Sequence, residues 1–394
     1  MFVFQRVKAL AQLPGVDVRV VSPTPWVPPI GGVPKFDHYR KLPSTEVFDG
    51  LRVDRPRYPL PPKIGGYIHP QLMFRPLVTA LLRIQCDFPF QMIDSHWVYP
   101  TGVAAACLGR RFNVPVCMTG RGEDMTRFPS LPLKGPKIRW ALEKADALIG
   151  VSREICDEMV RYGAPAAKVA TIPNGVDTHK FSPMNRDICR QKLNLPADQP
   201  ILLTVGDRLE LKGFHLVIKA LPKVLEKYPD LLYVCVGGRG RHGRDFTREI
   251  EACIEQHALQ DHVILAGPQD HNELPLWYNA ANLYVLASSR EGSPNVLLEA
   301  LACGVPAVAT KAGGAADEVA PPHCGRLVPE RNPSSIAKTL LDALGSQWNC
   351  GLIRSDMEKR SWRATAENCL EHYRRRFLNS TGDSPHLQFS TTVE

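Results

Sequence analysis

Short apolar runs separated by longer amphipathic stretches recur along the chain. Runs typical of buried strands fall at 16–22, 92–95, 114–119, 145–151, 201–205, 231–236, 262–266, 283–286 and 307–309. Helical patterns lie between them, including 2–13, 71–84, 137–144 and most of 335–377. Strands that alternate with helices form parallel sheets. The pattern therefore predicts an α/β protein.

Proline and glycine interrupt this pattern in two places. Residues 23–65 are dense in both and predict a long irregular region. Residues 172–183 carry two prolines and the pair Asn174-Gly175, which predicts a domain boundary. A chain of 394 residues has room for two separate cores.

The segment REGSPNVLLEALACGVPAVAT contains a strong helix start between two glutamates. Ser293 is predicted as the N-cap and Pro294 as the first helical residue, so Glu291 precedes the helix and Glu299 lies inside it. A helix start attracts phosphate. The layout suits a ligand with sugar, diphosphate and sugar in a row. Two solvated surface carboxylates are the alternative interpretation.

The surroundings of this helix strengthen the first interpretation. Apolar runs lie on both sides of it, and a glycine pair follows the second run. Ligands of open α/β sheets bind at the carboxyl ends of strands. The residues predicted to bring polar groups or backbone close to a diphosphate there are Gly292, Ser293, Asn295, Gly313 and Gly314.

Composition narrows the class of protein. The chain has no run of 18 or more apolar residues, so no membrane-spanning helix is predicted. The first residues lack the pattern of a signal peptide. The eleven cysteines are dispersed without a CxxC pair, which indicates reduced thiols and a cytoplasmic location and argues against a zinc site.

The net charge of +8 is unevenly distributed. Residues 1–175 hold 23 Lys and Arg against 14 Asp and Glu, whereas the remainder holds 25 against 26. The segment 35–63 mixes basic and aromatic residues, and either peripheral docking to the inner face of an anionic membrane or a plain basic loop explains it. Nucleic acid is not expected, because no recognition motif accompanies the charge.

Several motifs resemble family-4 retaining glycosyltransferases. These are EGSPNVLLEALACGVPAVAT, KAGGAADEV, TVGDRLELKG, IPNGVDTHKFSP, IDSHWVYPTGVAA and VCMTGRGEDM, and the resemblance extends from about Val3 to about Phe377. The first-domain motifs are similar to those of enzymes that build surface polysaccharides, the teichuronic-acid type among them. The resemblance implies the GT-B fold, in which two Rossmann-like α/β domains face a central cleft.

The resemblance also implies roles in the second domain. Lys212 would bind the donor phosphate, Glu291 the hydroxyls of the transferred sugar, and Glu299 the nucleotide ribose. Vicinal hydroxyls suit carboxylate acceptors, which supports both glutamate roles. The family usually has a second donor-phosphate cation, an arginine, directly after the strand glycine. Here Asp207 occupies that place, and Arg208, one position further on, is the candidate. Either Asp317 or Glu318 takes the place of the family's glutamate after the glycine pair.

Further candidates follow other predicted strands. A glycine turn at Gly237 would let the base or ribose approach. His96 follows a short strand in the first domain, where a structural histidine is the alternative. Arg121 stands where many relatives have a histidine that touches the transferred sugar. The adjacent Glu123 and Asp124 are candidates for acceptor hydroxyls or members of a solvated turn.

The predicted domains are 1–173 on the acceptor side, 174–345 for the nucleotide sugar, 346–378 as helices packing back on the first domain, and 379–394 as a disordered tail. The family normally opens with a buried strand before its first helix. Here the first residues already form that helix, so the first strand of the N-terminal sheet is predicted to be missing. A start assigned too late, or a truncated relative, would explain this. The first predicts that about 20 further upstream residues would improve solubility.

The resulting hypothesis is a metal-independent glycosyltransferase, without a cofactor, that moves a sugar from a nucleotide diphosphate sugar to a lipid-linked or polysaccharide acceptor in cell-surface glycan synthesis. Catalysis would rest on orientation and electrostatics. A nucleotide-sugar epimerase of the same fold and a non-catalytic sugar-nucleotide-binding protein remain alternatives.

Overall fold

The computed structural model of the protein describes residues 2–26, 37–61, 65–240, 245–377 and 387–392. The chain divides into two compact units, Met1–Asn174 with Trp362–Glu394 and Gly175–Ser361. Within the described residues, no helix combines the length and the apolar character needed to span a bilayer.

The first stretch of the chain, up to Asn174, contains nine strands and seven α-helices among its described residues. The strands are β1 (Val16–Val21), β2 (Thr24–Trp26), β3 (Thr45–Phe48), β4 (Leu51–Asp54), β5 (Arg57–Pro59), β6 (Met92–His96), β7 (Val116–Gly120), β8 (Ala147–Gly150) and β9 (Val169–Thr171). The helices are α1 (Phe2–Ala11), α2 (Asp37–Lys41), α3 (Gly65–Asp87), α4 (Val103–Phe112), α5 (Glu123–Thr126), α6 (Gly135–Lys144) and α7 (Arg153–Arg161).

The described part of the second unit has six strands and eight α-helices. The strands are β10 (Ile201–Val205), β11 (Leu232–Val236), β12 (Val263–Gly267), β13 (Leu283–Leu286), β14 (Ala307–Thr310) and β15 (Gly325–Val328). The helices are α8 (Arg186–Lys192), α9 (Phe214–Leu225), α10 (Thr247–Gln256), α11 (Leu274–Ala280), α12 (Asn295–Ala302), α13 (Gly314–Glu318), α14 (Pro333–Gly345) and α15 (Cys350–Glu358). The chain then returns to the first unit with α16 (Trp362–Phe377) and β16 (Leu387–Thr392).

The sheet of the second unit is parallel, with the strand order β12-β11-β10-β13-β14-β15. Its central strands are buried along their whole length, as their continuous apolar sequences predict. The chain proceeds from β10 outward in one direction and from β13 outward in the other. The neighbouring ends of β10 and β13 therefore form the topological switch point, where ligands bind in this class of sheet.

The sheet of the first unit has eight strands in the order β3-β4-β1-β16-β6-β7-β8-β9. β16 lies between β1 and β6 and pairs in parallel with both. Phe389 is opposite Val18 on one side and Met92 on the other, is fully buried, and packs against Tyr373 with 5.9 Å between the ring centroids.

This strand corrects two predictions. The central position that was predicted to lack a strand is filled by 387–392, and this part of the tail is ordered in a sheet. Residues 378–386, 393 and 394 lie outside the described residues. The physical reason for this strand is that β1 and β6, without a strand between them, would each leave backbone N–H and C=O groups without hydrogen-bond partners. An extended segment that pairs in parallel with both strands supplies these partners.

The region 23–65 also differs from the prediction of irregular structure. Its described residues contain four strands and a short helix; 27–36 and 62–64 lie outside the described residues. Strands β3 and β4 form an antiparallel hairpin closed by Asp49-Gly50, both with positive φ. The Asp-Gly pair is a strong hairpin signal that the reading of the region as irregular overlooked.

The predicted segment 346–378 is divided between the units. Residues up to Ser361 remain with the second unit, and α16 packs in the first, where it shares a core with α1 and β16. Both termini of the described chain therefore contribute to one hydrophobic cluster.

Candidate functional site

The loops that follow β10 and β13 bring a lysine and a glutamate into contact. Nζ of Lys212 donates a hydrogen bond to Oε1 of Glu291 over 2.7 Å, and Oγ of Ser288 donates to the same oxygen over 2.6 Å. The side chains of Lys212 and Glu291 are 19% and 12% exposed. The structure thus joins two predicted site residues that are 79 positions apart.

Lys212 and Glu291 can each form further hydrogen bonds beside this contact. An ammonium carries three donors and a carboxylate about four acceptor positions. Each partner neutralises the other at low exposure, which lowers the cost of keeping both charges partly buried. A bound anion would bond to the remaining donors of Lys212, and sugar hydroxyls would donate to Glu291.

The loop after β14 packs directly on the Glu291 loop. A Cβ on Gly313, whose φ is +53°, would lie 1.9 Å from the carbonyl oxygen of Glu291. The backbone N of Gly314 donates to the carbonyl of Gly292 over 2.9 Å. Only glycine permits this approach at Gly313. The predicted glycine pair therefore shapes the Glu291 loop from the neighbouring strand.

Helix α12 begins one residue later than predicted. Pro294 is the N-cap and Asn295 the first helical residue, so Ser293 is not the cap. The reason is backbone conformation, because Pro294 has an extended ψ of 101° while its carbonyl already accepts from the N of Leu297 over 3.0 Å. Gly292, Ser293 and Asn295 lie around this helix start, and their predicted contacts with a diphosphate stay predictions.

Glu299 lies on the second turn of α12 and is 8% exposed. The hydroxyl of Tyr278 donates to its Oε2 over 2.8 Å, and Nε2 of His271 lies 3.2 Å from its Oε1. Burial, assisted by the charge of Glu299, raises the pKa of Tyr278 well above its usual value, so the phenol stays a donor. Neither Tyr278 nor His271 was predicted as a site residue, because neither lies in one of the family motifs of the sequence.

The loop after β11 approaches the loop after β10. A Cβ on Gly237, with φ +144°, would lie 1.9 Å from the carbonyl oxygen of Gly206. Arg208 lies in the same place, where its backbone N donates to Gly238 over 2.9 Å. The buried Nε of Arg208 has no hydrogen-bond partner within the described ranges. Gly237 thus sits at the strand edge, as predicted, and packs on the neighbouring backbone.

The two acidic candidates after the glycine pair differ in burial. Glu318 is 3% exposed and accepts a hydrogen bond from Nη2 of Arg360 over 2.9 Å. Burial raises the pKa of Glu318 to about 7, against the opposing effect of Arg360. Asp317 is half-buried at the same helix, α13. The geometry assigns Glu318 to a pair with the segment that ends the second unit.

In the first unit, His96 and Arg121 contact each other at the ends of β6 and β7. Nη2 of Arg121 donates to Nδ1 of His96 over 2.7 Å, and Nη1 donates to Oδ1 of Asn174 over 3.1 Å. His96 is fully buried and Arg121 is 6% exposed. Burial, with the charges of Arg121 and Arg6, lowers the pKa of His96 well below its usual value, so the ring is neutral at pH 7.

A buried arginine completes this network. Nη2 of Arg6 on α1 lies 3.2 Å from Oδ2 of Asp94 and donates to the hydroxyl of Tyr373 over 2.9 Å, while Nη1 donates to Oγ1 of Thr119 over 2.9 Å. Burial and the charge of Arg6 lower the pKa of Arg121 to about 9, which leaves it charged at pH 7. Arg6 links β6, β7 and α16, and no local sequence pattern marks this arginine as buried.

Three backbone N–H groups hold the carboxylate of Asp124. Its carboxylate accepts hydrogen bonds from the backbone N of Val98, Arg121 and Gly122 at 2.8–3.0 Å. It is fully buried, and it holds the loop after β7 against the segment after β6. Full burial rules out the solvated turn that was one of the two alternatives for Asp124, and a contact with acceptor hydroxyls stays a prediction.

One group of possible metal ligands occurs among the described residues. His323, Cys324 and Asp356 place ligand-type atoms within 4.8 Å of one another. Nε2 of His323 is 2.7 Å from Oδ2 of Asp356, a hydrogen-bond distance that explains their proximity. Burial raises the pKa of Cys324 to about 11, so its thiol is neutral near pH 7.

Two sequence families match consecutive parts of the chain. Residues 1–180 match "Glycosyltransferase Family 4", and residues 185–361 match "Glycosyl transferases group 1". The second match contains Lys212, Glu291 and Glu299.

Curated relatives point in the same direction. The chain is 32% identical over 243 residues to D-inositol 3-phosphate glycosyltransferase 2 of Catenulispora acidiphila, covering 59% of this chain and 57% of that protein. It is 26% identical over 363 residues to the D-inositol 3-phosphate glycosyltransferase of Streptosporangium roseum, covering 86% and 78%. The chain thus spans little more than half the length of the first relative.

Solved structures share the fold. A sucrose-phosphate synthase from Thermosynechococcus elongatus superposes with a TM-score of 0.77 at 24% identity, covering 96% of this chain and 93% of that one. Anabaena HepE in complex with UDP and glucose gives 0.64 at 21% identity, covering 82% and 86%. With two Rossmann-like units and these matches along its length, the chain belongs to the glycosyltransferases of the GT-B fold, with a family 4 region followed by a group 1 region.

Proposed function

We propose that the protein transfers a sugar from a nucleoside-diphosphate sugar to a lipid-linked or polysaccharide acceptor, with retention of configuration. The observation that carries this proposal is the contact of Lys212 with Glu291 at the switch point between β10 and β13. A cation and a carboxylate placed together before a helix start suit the diphosphate and the sugar of such a donor.

The proposed chemistry needs no protein nucleophile. The acceptor oxygen attacks the anomeric carbon on the face from which the diphosphate departs, and the departing phosphate oxygen takes the acceptor proton. Lys212 and the amide groups at the start of α12 stabilise the charge that develops on the diphosphate. Glu291 orients the transferred sugar, and Glu299 accepts hydrogen bonds from the ribose hydroxyls. Metal independence belongs to this proposal and predicts activity in excess chelator.

The relatives support a sugar-nucleotide donor and widen the choice of acceptor. HepE was solved with UDP and glucose, and the curated relatives are named for D-inositol 3-phosphate. A phosphorylated polyol therefore belongs in the acceptor panel beside polyprenyl-phosphate lipids and polysaccharides.

The test is release of nucleoside diphosphate from UDP-, GDP- and ADP-sugars, measured with and without each acceptor and with EDTA. Acceptor-dependent release that forms a glycoside supports transfer. An isomerised donor without release would point to an epimerase, and tight binding without either product to a non-catalytic binder.

Two variants connect this activity to the site. Lys212→Met and Glu291→Gln are each expected to lower kcat/KM by about a hundredfold, the usual effect of removing a group that stabilises transition-state charge. Lys219→Met, which changes an exposed lysine on α9, is the matched control and should match the parent. Full activity of Lys212→Met would contradict the proposal.

A further inference from the structure

The carboxylate of Glu299 has one side-chain partner on each oxygen. Tyr278 donates to Oε2, and Nε2 of His271 is 3.2 Å from Oε1. Because a carboxylate has about four acceptor positions, each oxygen keeps room for one further hydrogen bond. Two adjacent oxygens with fixed directions match two adjacent hydroxyls.

Lys180 determines which nitrogen of His271 carries the proton. Its Nζ lies 2.5 Å from Nδ1 of His271 and donates to Oδ1 of Asn272 over 2.9 Å. A charged lysine can only donate, so Nδ1 must accept. The ring proton therefore sits on Nε2 and is directed at Glu299.

Aromatic packing fixes the same group of side chains. The ring of Phe181 meets His271 edge to face at 5.4 Å and Tyr278 at 5.9 Å. Lys180 and Phe181 come from the segment before α8, His271 from the loop after β12, and Tyr278 from helix α11. Three separate elements thus converge on one carboxylate of α12.

We infer that Lys180, His271 and Tyr278 are positioning residues that orient Glu299 toward the 2′- and 3′-hydroxyls of the donor ribose. This inference rests on the proposed function. A glutamate side chain alone rotates freely at its end, whereas reading a diol requires both oxygens to be aimed. Lys180 and His271 act through Glu299, so their effect should depend on the ribose hydroxyls of the ligand.

The experiment compares a ribonucleotide with its 2′-deoxy form. UDP, GDP and ADP are first ranked by calorimetric titration of the parent, and the tightest binder is then compared with its 2′-deoxy analogue. The ratio of the two dissociation constants measures how well the protein reads the 2′-hydroxyl. A change that merely loosens the fold weakens the binding of both ligands equally and leaves the ratio of their dissociation constants unchanged.

His271→Phe is expected to lower this ratio about tenfold, because a lost hydrogen bond to a charged group leaves the carboxylate misdirected. His271→Gln, whose amide can donate to Glu299 and accept from Lys180, should restore most of it. His323→Phe is the matched control, since His323 pairs with Asp356 at similar exposure in the same unit. Its ratio should equal that of the parent.

Lys180 is tested by charge and donor character. Lys180→Met should lower the ratio by several fold, whereas Lys180→Arg, which keeps a donor-only group, should preserve it.

A parent-like ratio in His271→Phe, with the ratio lost in Glu299→Ala, would overturn the inference and leave the proposed function intact. A parent that binds none of the three nucleotides would overturn both.

Discussion

Glu299 and Glu318 are two buried carboxylates of the second unit, and their neighbours give them different properties. Glu299 lies beside a tyrosine hydroxyl and a histidine ring, whereas Glu318 faces one arginine and is otherwise desolvated. Desolvation favours the neutral acid, so the pKa of Glu318 rises from 4.5 to about 7. At the scale of single residues, burial and partners decide charge.

Glu318 predicts a pH-dependent stability. Between pH 4.5 and 7 the folded protein keeps a proton that the unfolded chain releases, so the contribution of Glu318 to stability falls as pH rises through this window. Glu318→Gln removes this loss. Relative to the parent, its free energy of unfolding should improve from pH 5 to pH 8, by up to about 3 kcal/mol. Urea unfolding at several pH values measures this.

The control for Glu318 is Asp342→Asn, which alters an exposed carboxylate that also pairs with an arginine. Its stability curve should run parallel to that of the parent. Parallel curves for Glu318→Gln as well would show that Glu318 is ionised throughout the range.

Gly313 predicts a local effect on donor binding. Gly313→Ala introduces a Cβ that meets the carbonyl of Glu291 and must displace that loop. Gly267→Ala is a matched control, because φ at Gly267 is +73° and a Cβ there meets nothing within 4 Å. Gly267→Ala should lose about 1–2 kcal/mol of stability from the strained backbone alone, and Gly313→Ala should lose more because of the added clash. Only Gly313→Ala should weaken nucleotide binding, by about tenfold, in a titration. Equal binding by the two variants would count against the contact.

At the scale of elements, β16 is the most unusual part of the protein. Central strands of parallel sheets are normally continuous apolar runs, yet this one reads LQFSTT. The hydroxyls of Ser390 and Thr391 are fully buried, with no hydrogen-bond partner within the described ranges. Among the side chains of β16 that the structure describes, Phe389 is the one that belongs to a hydrophobic cluster.

Phe389→Ala is expected to lower the free energy of unfolding by about 3–5 kcal/mol, the usual cost of removing a buried phenylalanine. Gln388→Ala, one position away on the same strand and not buried, should change it by less than about 0.5 kcal/mol. Chemical denaturation followed by fluorescence measures both. Similar small effects for the two variants would mean that β16 does not hold the centre of the sheet.

At the scale of the whole molecule, the excess of basic over acidic residues lies in the first half of the chain. We propose peripheral contact of this half with an anionic membrane, at the cytoplasmic face. The β3–β4 hairpin offers Val47 at 72% and Phe48 at 53% exposure, with Arg52 partly exposed beside them. Apolar side chains next to cations are typical of surfaces that bind anionic lipid.

Vesicle sedimentation tests this contact. The protein should bind phosphatidylglycerol vesicles better than phosphatidylcholine vesicles, and less at high salt, because screening weakens the attraction. Val47→Ser combined with Arg52→Glu should reduce binding several fold. Leu352→Ser, which changes an exposed leucine of the second unit, should leave it unchanged. Equal binding to both lipids would refute the proposal.

The sequence by itself determined five of the six described strands of the second unit, all except β15, which reads GRLV. These five strands are local apolar runs, and Glu291 and Glu299 belong to one short segment in which proline and glycine mark the helix ends. Such signals depend on residues close together in the chain, which propensity and periodicity capture. The family resemblance likewise rests on short local motifs, which lie in both units.

Only the tertiary structure decided which segments meet. Phe389 fills the sheet beside Met92 although almost 300 residues separate them, and His271 and Tyr278 reach Glu299 from other elements. Nothing in the polar sequence of β16 marks it as a central strand. Strand pairing and buried side-chain contacts depend on what the rest of the fold leaves unpaired, and no local pattern contains that information.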